Sequence, residues 1–315
     1  MFDGLLLEEV TRKRLSWYVM GNPGSCTNLV LLGEKGIGKY RIAKEISSWL
    51  LGLRAGVPCS FSLDYFEVGG DGRGTLKEQM GEMLEFISFA PVKAPKRVIL
   101  IDDADSIEQN SLLKPMESQA HTCIFILVAH GSLLPTIHSR SVLLPVVTPT
   151  VGNMERFLAD HGEAYDPVLV AASGGKVGYY RKFQERTEYR NYLHRYLDVF
   201  NSMKEPRKLL EVSGALREKD PQYLFLLFDK DELAGFLNLL QSMFRWNLTC
   251  LGGAVKEPPF HLRSDMQELY QMHQTVNILN LLKEQERMMK TKGRYSKNNF
   301  FDLLISLVTK ERGVS

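Results

Sequence analysis

The chain has 315 residues, a length typical of two or three domains, and its 44% hydrophobic and 24% charged residues are ordinary for a soluble globular protein. A formal net charge of +2 gives no sign of the strongly basic surface that many nucleic-acid-binding proteins carry. The four cysteines are scattered without a Cys-x-x-Cys pair, so neither a zinc cluster nor a disulfide framework is expected. Neither a signal peptide nor an apolar stretch long enough to cross a bilayer is evident, which predicts a cytoplasmic protein without a membrane partner.

The chain begins with a predicted helix, a turn and a strand. Residues 5–19 are predicted to be helical, with apolar residues near one face at Leu6, Val10, Leu15 and Tyr18. The Gly-Asn-Pro-Gly-Ser stretch at 21–25 indicates a turn. The apolar run at 29–32 then predicts a strand.

A glycine-rich stretch, Gly-Glu-Lys-Gly-Ile-Gly-Lys at 33–39, follows this strand and precedes a helical pattern of apolar residues. These residues satisfy the G-x-x-x-x-G-K pattern of a P-loop. Gly33, Gly36 and Gly38 would let backbone N–H groups point towards phosphate oxygens, and Lys39 would reach the outer phosphates. The sequence therefore predicts a site for ATP or ADP, the alternative being a glycine turn that never meets a nucleotide.

The residue after the P-loop lysine departs from the pattern. A Ser or Thr hydroxyl normally holds Mg²⁺ at this position, whereas Tyr40 stands here. A phenol oxygen at the end of a ring cannot occupy the same ligand position unless the loop moves. We therefore expect weak nucleotide binding, with Mg²⁺ held only when a nucleotide is bound.

Further strands and helices alternate up to residue 150. Strands are predicted at 61–68, 97–101, 123–129 and 142–146, and helices at 75–86 and 106–114, the latter ending or kinking at Pro115. The strand at 97–101 consists mainly of large aliphatic residues, as expected of a parallel strand buried on both faces. This alternation predicts an α/β doubly wound domain with a parallel sheet.

Acidic residues follow the strand at 97–101, at the end where α/β sheets bind their ligands. Asp102 is the candidate to hold Mg²⁺, directly or through water. Asp103 stands where Glu normally polarises the attacking water, and its carboxylate is one methylene shorter, which puts that water beyond good reach. Alternatively, these carboxylates cap the next helix, and Ser106 with Gln109 fits a capping box there.

Beyond residue 150 the sequence predicts helices only. Short helices are expected at 153–160 and from 168, and most of the chain from 179 onward has helical periodicity, broken near 206, 220–221 and 252–259. His130 and His138 flank a short loop without a third ligand at metal spacing, so both are predicted to be structural.

Five motifs occur in order, at residues 33–39, 101–105, 111–114, 125–128 and 134–140. In their order and spacing they resemble the AAA+ family of clamp-loader subunits, and within it the delta-prime subunit of bacterial DNA polymerase III. The resemblance implies an α/β AAA+ P-loop domain at 1–148, a small helical lid at 149–203 and an all-helical C-terminal collar domain at 204–315. It also implies motor and delta-like clamp-loader subunits as partners, with the sliding clamp and primer–template DNA as further candidates.

Four departures from this family weaken nucleotide chemistry. Besides Tyr40 and Asp103, Ala129 replaces the polar sensor residue, and Tyr179 replaces a phosphate-binding arginine. Because phosphoryl transfer depends on positioning and charge stabilisation, we expect ATP hydrolysis at this site to be very slow or absent. The four-cysteine zinc module common in the family is represented only by Cys59, so no zinc is expected.

The resemblance gives Arg140 a different role, because it stands in the family's Ser-Arg-Cys motif, here Ser-Arg-Ser at 139–141. It implies an arginine finger that acts in trans on the γ-phosphate of a neighbouring subunit; the alternative is a surface arginine in a salt bridge. The leading interpretation is thus an architectural clamp-loader subunit in DNA replication. A self-sufficient AAA+ or P-loop ATPase of the helicase-loader or initiator type is the main alternative, and a small-molecule kinase a weaker one.

Overall fold

The fold is taken from a computed structural model of the chain. It describes residues 2, 4–20, 27–54, 56–69, 74–186, 191, 211, 230–252 and 272–292. The chain forms two compact units, one of residues 1–153 with 176–178 and the other of residues 154–175 with 179–315. The three-domain division at 148 and 203 stays a prediction.

The first unit contains a five-stranded parallel sheet, as the sequence predicts. The strands are β1 Leu29–Leu32, β2 Tyr65–Val68, β3 Arg97–Ile101, β4 Cys123–Ala129 and β5 Val142–Pro145. Their order across the sheet is β2-β3-β4-β1-β5, with every pair parallel. All residues of β3 and β4 are buried, which explains their nearly continuous apolar sequences.

Apolar cores cover both faces of the sheet because successive side chains of a strand point to opposite sides. Leu29 and Leu31 of β1 belong to one core, whereas Val30 belongs to the other. The helices of this region are α1 Glu9–Val19, α2 Lys39–Leu50, α3 Leu76–Phe86, α4 Asn110–Ser118 and α5 Pro135–His138. The alternation of helices and strands confirms the predicted α/β class.

Two early elements are shorter than predicted. Helix α1 begins at Glu9 rather than at residue 5, and Val10 is exposed instead of lying on the buried face. Strand β2 begins at Tyr65 rather than at residue 61, after a 3₁₀ turn at Cys59–Phe61. The carboxylate of Asp64 accepts N–H groups of residues 92–94 at 2.7–2.8 Å, so the chain is fixed in a turn immediately before β2.

Helix α4 also differs from the prediction: it begins at Asn110 rather than at 106 and continues through Pro115. The proline is buried on the same face as Leu112 and Met116, and this apolar burial offsets the hydrogen bond that proline cannot donate. The predicted capping box does not form. The Gln109 side chain instead accepts the Leu134 N–H at 2.7 Å.

The remaining described elements are helices, as predicted for the region beyond residue 150. They are α6 Val151–Asp160, α7 Pro167–Ser173, α8 Val177–Glu185, α9 Lys230–Leu251 and α10 Met272–Lys292. The predicted breaks near 206 and 220 lie outside the described residues. None of the helices in the described ranges combines the length and apolarity that a membrane span requires.

Candidate functional site

The P-loop leaves the carboxyl end of β1, an inner strand that lies between β4 and the edge strand β5. Residues that follow neighbouring strands meet at this edge, where open α/β sheets bind their ligands. Gly36 and Gly38 adopt φ of 83° and 91°, a left-handed conformation that favours glycine. A Cβ on Gly33 would lie 2.5 Å from the Val146 carbonyl oxygen. The strand, glycine loop and helix occur where the sequence predicts them.

The ammonium group of Lys39 is bound by atoms of this chain. The residue is only 3% exposed, and its Nζ donates to the carbonyl oxygens of Gly33 at 2.8 Å and Glu34 at 2.5 Å. Nζ also lies 2.7 Å from Nδ1 of His130. Burial lowers the pKa of Lys39 from 10.5 to about 8, although nearby carboxylates oppose the shift.

His130 belongs to this cluster, and the prediction that it has only a structural role missed its position. Its Nδ1 contacts Lys39, and its Nε2 lies 2.6 Å from Oδ1 of Asp103. The available signal was its place directly after β4, the strand that pairs with β1. His138 lies instead at the end of α5.

The acidic residues after β3 lie near enough to the P-loop lysine for their charges to act on its pKa, and a Mg²⁺-holding role for Asp102 stays a prediction. Burial raises the pKa of Asp102, and its Oδ1 accepts the Asp103 N–H at 3.0 Å. Asp103 has φ of 49°, the one positive φ among described non-glycine residues. Asp105 accepts the N–H groups of His130 and Gly131, each at 2.9 Å, and these bonds lower its pKa against the opposing effect of burial. The acidic turn is therefore bonded to the loop that carries His130.

Three side chains in this cluster, those of Asp102, Asp103 and His130, could hold a divalent cation. Each offers one ligand atom, and these atoms lie within 4.8 Å of one another. Oxygen and imidazole ligands of this kind bind several divalent metals. In the present arrangement His130 is hydrogen-bonded to Asp103, and this bond would have to break before both could bind the same ion.

Tyr40 is the second residue of α2, and its hydroxyl is engaged away from the lysine cluster. It donates to Glu67 on β2, which also pairs with Lys44 and accepts from the Tyr65 hydroxyl at 2.8 Å. Burial and the bond to Glu67 raise the pKa of Tyr40, so its hydroxyl stays protonated at neutral pH. The Tyr40 oxygen is thus held by a carboxylate, not directed towards a metal ligand position.

Lys176 and Gly178 both contact residues of the P-loop. The Gly178 N–H donates to the Gly36 carbonyl at 2.8 Å, and Lys176 forms a 2.8 Å ion pair with Glu34. A Cβ on Gly178 would lie 3.0 Å from the Gly36 oxygen. The ring of the following residue, Tyr179, stacks on Phe183 with centroids 6.0 Å apart.

Arg140 lies after α5 and is not among the side chains that contact Lys39. Its Nε donates to Glu117 of α4 at 2.9 Å, and one terminal nitrogen donates to the Thr136 carbonyl at 2.9 Å. Both partners of the ion pair are partly exposed, Arg140 by 32% and Glu117 by 56%. Cys59, the other residue singled out above, is buried and its Sγ lies 3.1 Å from the Ser48 hydroxyl.

The arrangement as it stands does not fit a Mg²⁺–nucleotide complex. The Lys39 ammonium has three hydrogens and three acceptors within the chain, so no donor remains for a phosphate. The Tyr40 hydroxyl is held by Glu67, and Ala129 at the end of β4 has no polar side-chain atom. Binding a nucleotide would require rearrangement of Lys39 at least.

The sheet and the glycine loop define an α/β domain of the P-loop type. Residues 27–149 match the family model described as DNA polymerase III, delta subunit. The chain is also 31% identical over 115 residues to DNA polymerase III subunit gamma of Buchnera aphidicola subsp. Acyrthosiphon pisum, an alignment that covers 31% of this chain and 31% of that protein. The chain thus spans less than a third of that relative's length.

Among solved structures, a DNA polymerase III gamma subunit-related protein from Thermotoga maritima is similar, with 12% identity and a TM-score of 0.40. The alignment covers 96% of this chain and 100% of that one.

Proposed function

We propose that this chain is a clamp-loader-type subunit of a DNA polymerase III system, of the delta-prime kind, that acts by assembling with ATPase subunits. The proposal is carried by the match of residues 27–149 to the family model, in a chain whose Lys39 ammonium and Tyr40 hydroxyl are both hydrogen-bonded to other side chains of the same chain. A loop of this kind supports an architectural role better than a catalytic one. Hydrolysis of ATP by the isolated chain is expected to be very slow or absent.

Arg140 is the proposed active contribution of this subunit to its neighbour. Its ion pair with Glu117 is partly solvent-exposed, and such surface pairs contribute only about 0–1 kcal/mol. A neighbouring γ-phosphate, with its greater charge and bidentate geometry, would compete successfully for the guanidinium. The present pair with Glu117 is then the resting state of an arginine finger that acts in trans.

The proposed partners are motor and delta-like subunits, with the sliding clamp and primer–template DNA as further candidates. Oligomerisation is assigned to the helical C-terminal region. Within its described part, α9 and α10 pack together, and Nδ2 of Asn247 donates to the Thr275 hydroxyl at 3.0 Å across them.

Reconstitution with motor subunits from the same organism tests this proposal. The chain should co-elute with them on size exclusion, and Arg140→Ala should lower the ATP turnover of the assembled complex while leaving assembly intact. Arg140→Lys should restore little, because an ammonium lacks the bidentate fork of guanidinium. Arg181→Ala is the matched control, since Arg181 also forms a partly exposed ion pair, with Glu163 at 3.5 Å.

A chain that stays alone at micromolar concentration would contradict the proposal. Measurable turnover by the isolated chain would favour the alternative, a self-sufficient ATPase of the helicase-loader or initiator type. Full turnover by an Arg140→Ala complex would remove the arginine-finger role while leaving the architectural role in place.

A further inference from the structure

The P-loop lysine has no hydrogen left to donate to a ligand. Its three short contacts end on two backbone carbonyls of the loop and on the His130 ring. The carbonyls belong to the same loop as the lysine, five and six residues before it. Among the three acceptors, His130, which directly follows β4, is therefore the one that lies outside this loop.

The contacts of the His130 ring select one tautomer. Lys39 donates to Nδ1, so this nitrogen carries no proton while the lysine is charged. The proton of the neutral ring is then on Nε2, which donates to Asp103 at 2.6 Å. The imidazole thus connects the ammonium to a carboxylate and gives both of them a partner.

The backbone around His130 holds the ring in this position. The N–H groups of His130 and Gly131 both donate to the carboxylate of Asp105, at 2.9 Å each. Asp105 lies in the acidic turn that also carries Asp103, so the ring and its carboxylate partner are joined twice. A ring held in this way is preorganised to accept from Lys39.

We propose that His130 is a positioning residue that occupies the P-loop lysine in place of a phosphate and so excludes nucleotide from this loop. A phosphate must break the contact between Lys39 and His130 before it can be bound, which lowers the affinity for nucleotide. This inference rests on the proposed function, because it gives a physical reason for a subunit with a P-loop and little nucleotide chemistry. It also makes a testable claim about one side chain.

Titration with a fluorescent ATP analogue tests the role of His130. Loss of one hydrogen bond to a charged group should tighten binding to His130→Ala about tenfold relative to wild type, which corresponds to about 1.4 kcal/mol. His130→Asn should bind as weakly as wild type, because its amide oxygen can still accept from Lys39. His121→Ala is the matched control, since His121 is exposed and lies before the opposite end of β4.

Two results would overturn the inference. The first is that His130→Ala binds the ATP analogue no more tightly than wild type does, and the second is that the wild-type chain already binds it tightly. An independent test needs no variant. The ring ¹⁵N shifts of His130 at neutral pH should show Nε2 protonated and Nδ1 unprotonated, and the opposite tautomer or a doubly protonated ring would contradict the geometry.

The outcome for His130 can be separated from the outcome for the proposed function. Assembly with motor subunits does not depend on Lys39 being engaged, so it should be the same in wild type and His130→Ala. If His130→Ala gains affinity but neither protein assembles, the proposed function fails and the role of His130 stands. If both proteins assemble but His130→Ala gains no affinity for the ATP analogue, the proposed function stands and the role of His130 fails.

Discussion

Gly33→Ala is expected to destabilise the first unit through a steric clash that the structure defines. The new Cβ would lie 2.5 Å from the Val146 carbonyl oxygen and 2.9 Å from Cδ1 of Ile37. The first distance is about 0.9 Å shorter than 3.4 Å, where ordinary van der Waals contact begins, and its partner is backbone rather than a movable side chain. Overpacking of this kind costs about 1–3 kcal/mol, so the free energy of unfolding should fall by that amount.

The matched control is Gly81→Ala, where a Cβ meets no atom within 4 Å. Gly81 lies inside α3, so alanine should raise the free energy of unfolding by about 0.5–1 kcal/mol. Urea denaturation followed by far-UV circular dichroism should therefore move the two midpoints in opposite directions. The reasoning is refuted if Gly33→Ala unfolds at the same urea concentration as wild type or at a higher one.

Three further predictions concern other contacts. Burial alone would raise the pKa of Asp64, but hydrogen bonds from three backbone N–H groups outweigh this effect and lower it. Asp64→Asn should therefore lower the free energy of unfolding by about 2 kcal/mol at pH 7. Because the pKa of Asp64 is lower in the folded chain than in the unfolded chain, its carboxylate stabilises the fold at a pH above the unfolded-state pKa, and this stabilisation is lost as the pH falls through the folded-state pKa. The difference in the free energy of unfolding between wild type and Asp64→Asn should therefore shrink below about pH 4. Urea titrations that give the same difference at every pH between about 7 and about 3 would contradict the assignment. Gly178→Ala should loosen the P-loop, because its methyl would lie 3.0 Å from the Gly36 oxygen, and amide hydrogen exchange in the loop should accelerate. Unchanged exchange would mean that Gly178 does not hold the loop. Tyr40→Ser should by itself increase Mg²⁺-dependent binding of an ATP analogue very little. The double variant Tyr40→Ser with His130→Ala should gain more binding free energy than the two single variants gain together. Additive free-energy changes would show that the two sites act independently.

The sequence predicts the sheet well because its strands are buried on both faces. Strands β3 and β4 are nearly continuous apolar runs with the predicted bounds, and β1 leads directly into a glycine loop. A strand that is buried on both faces can be recognised from its sequence alone, because its residues pack into one core or the other and are therefore mostly apolar. The helical character of the described part beyond residue 150 also follows from periodicity.

Other features depend on contacts between segments that are distant in the sequence. Gln109 is bonded to Leu134, not used in a helix cap, and this tertiary contact shifts the start of α4. Asp64 fixes the start of β2 through a loop about 30 residues away. Local propensity contains no information about either partner, so both elements begin at residues other than those that the sequence predicts.

The candidate site was predictable in its location but not in its connections. The P-loop and the acidic turn both follow recognisable strands, so their meeting at one edge of the sheet can be expected. The contact of His130 with Lys39 depends on the order of strands, which places β4 beside β1. The direction of the Tyr40 hydroxyl depends on Glu67 of β2, and neither bond can be predicted from the spacing of residues in the sequence.

The most direct test of the central claim is a titration of the purified wild-type chain with a fluorescent ATP analogue, with and without Mg²⁺. A P-loop kept for structure, with Lys39 held by His130 and Tyr40 by Glu67, predicts weak binding that Mg²⁺ does not change. Tight binding that requires Mg²⁺ would contradict this account and would favour an ATPase that works through its own nucleotide cycle.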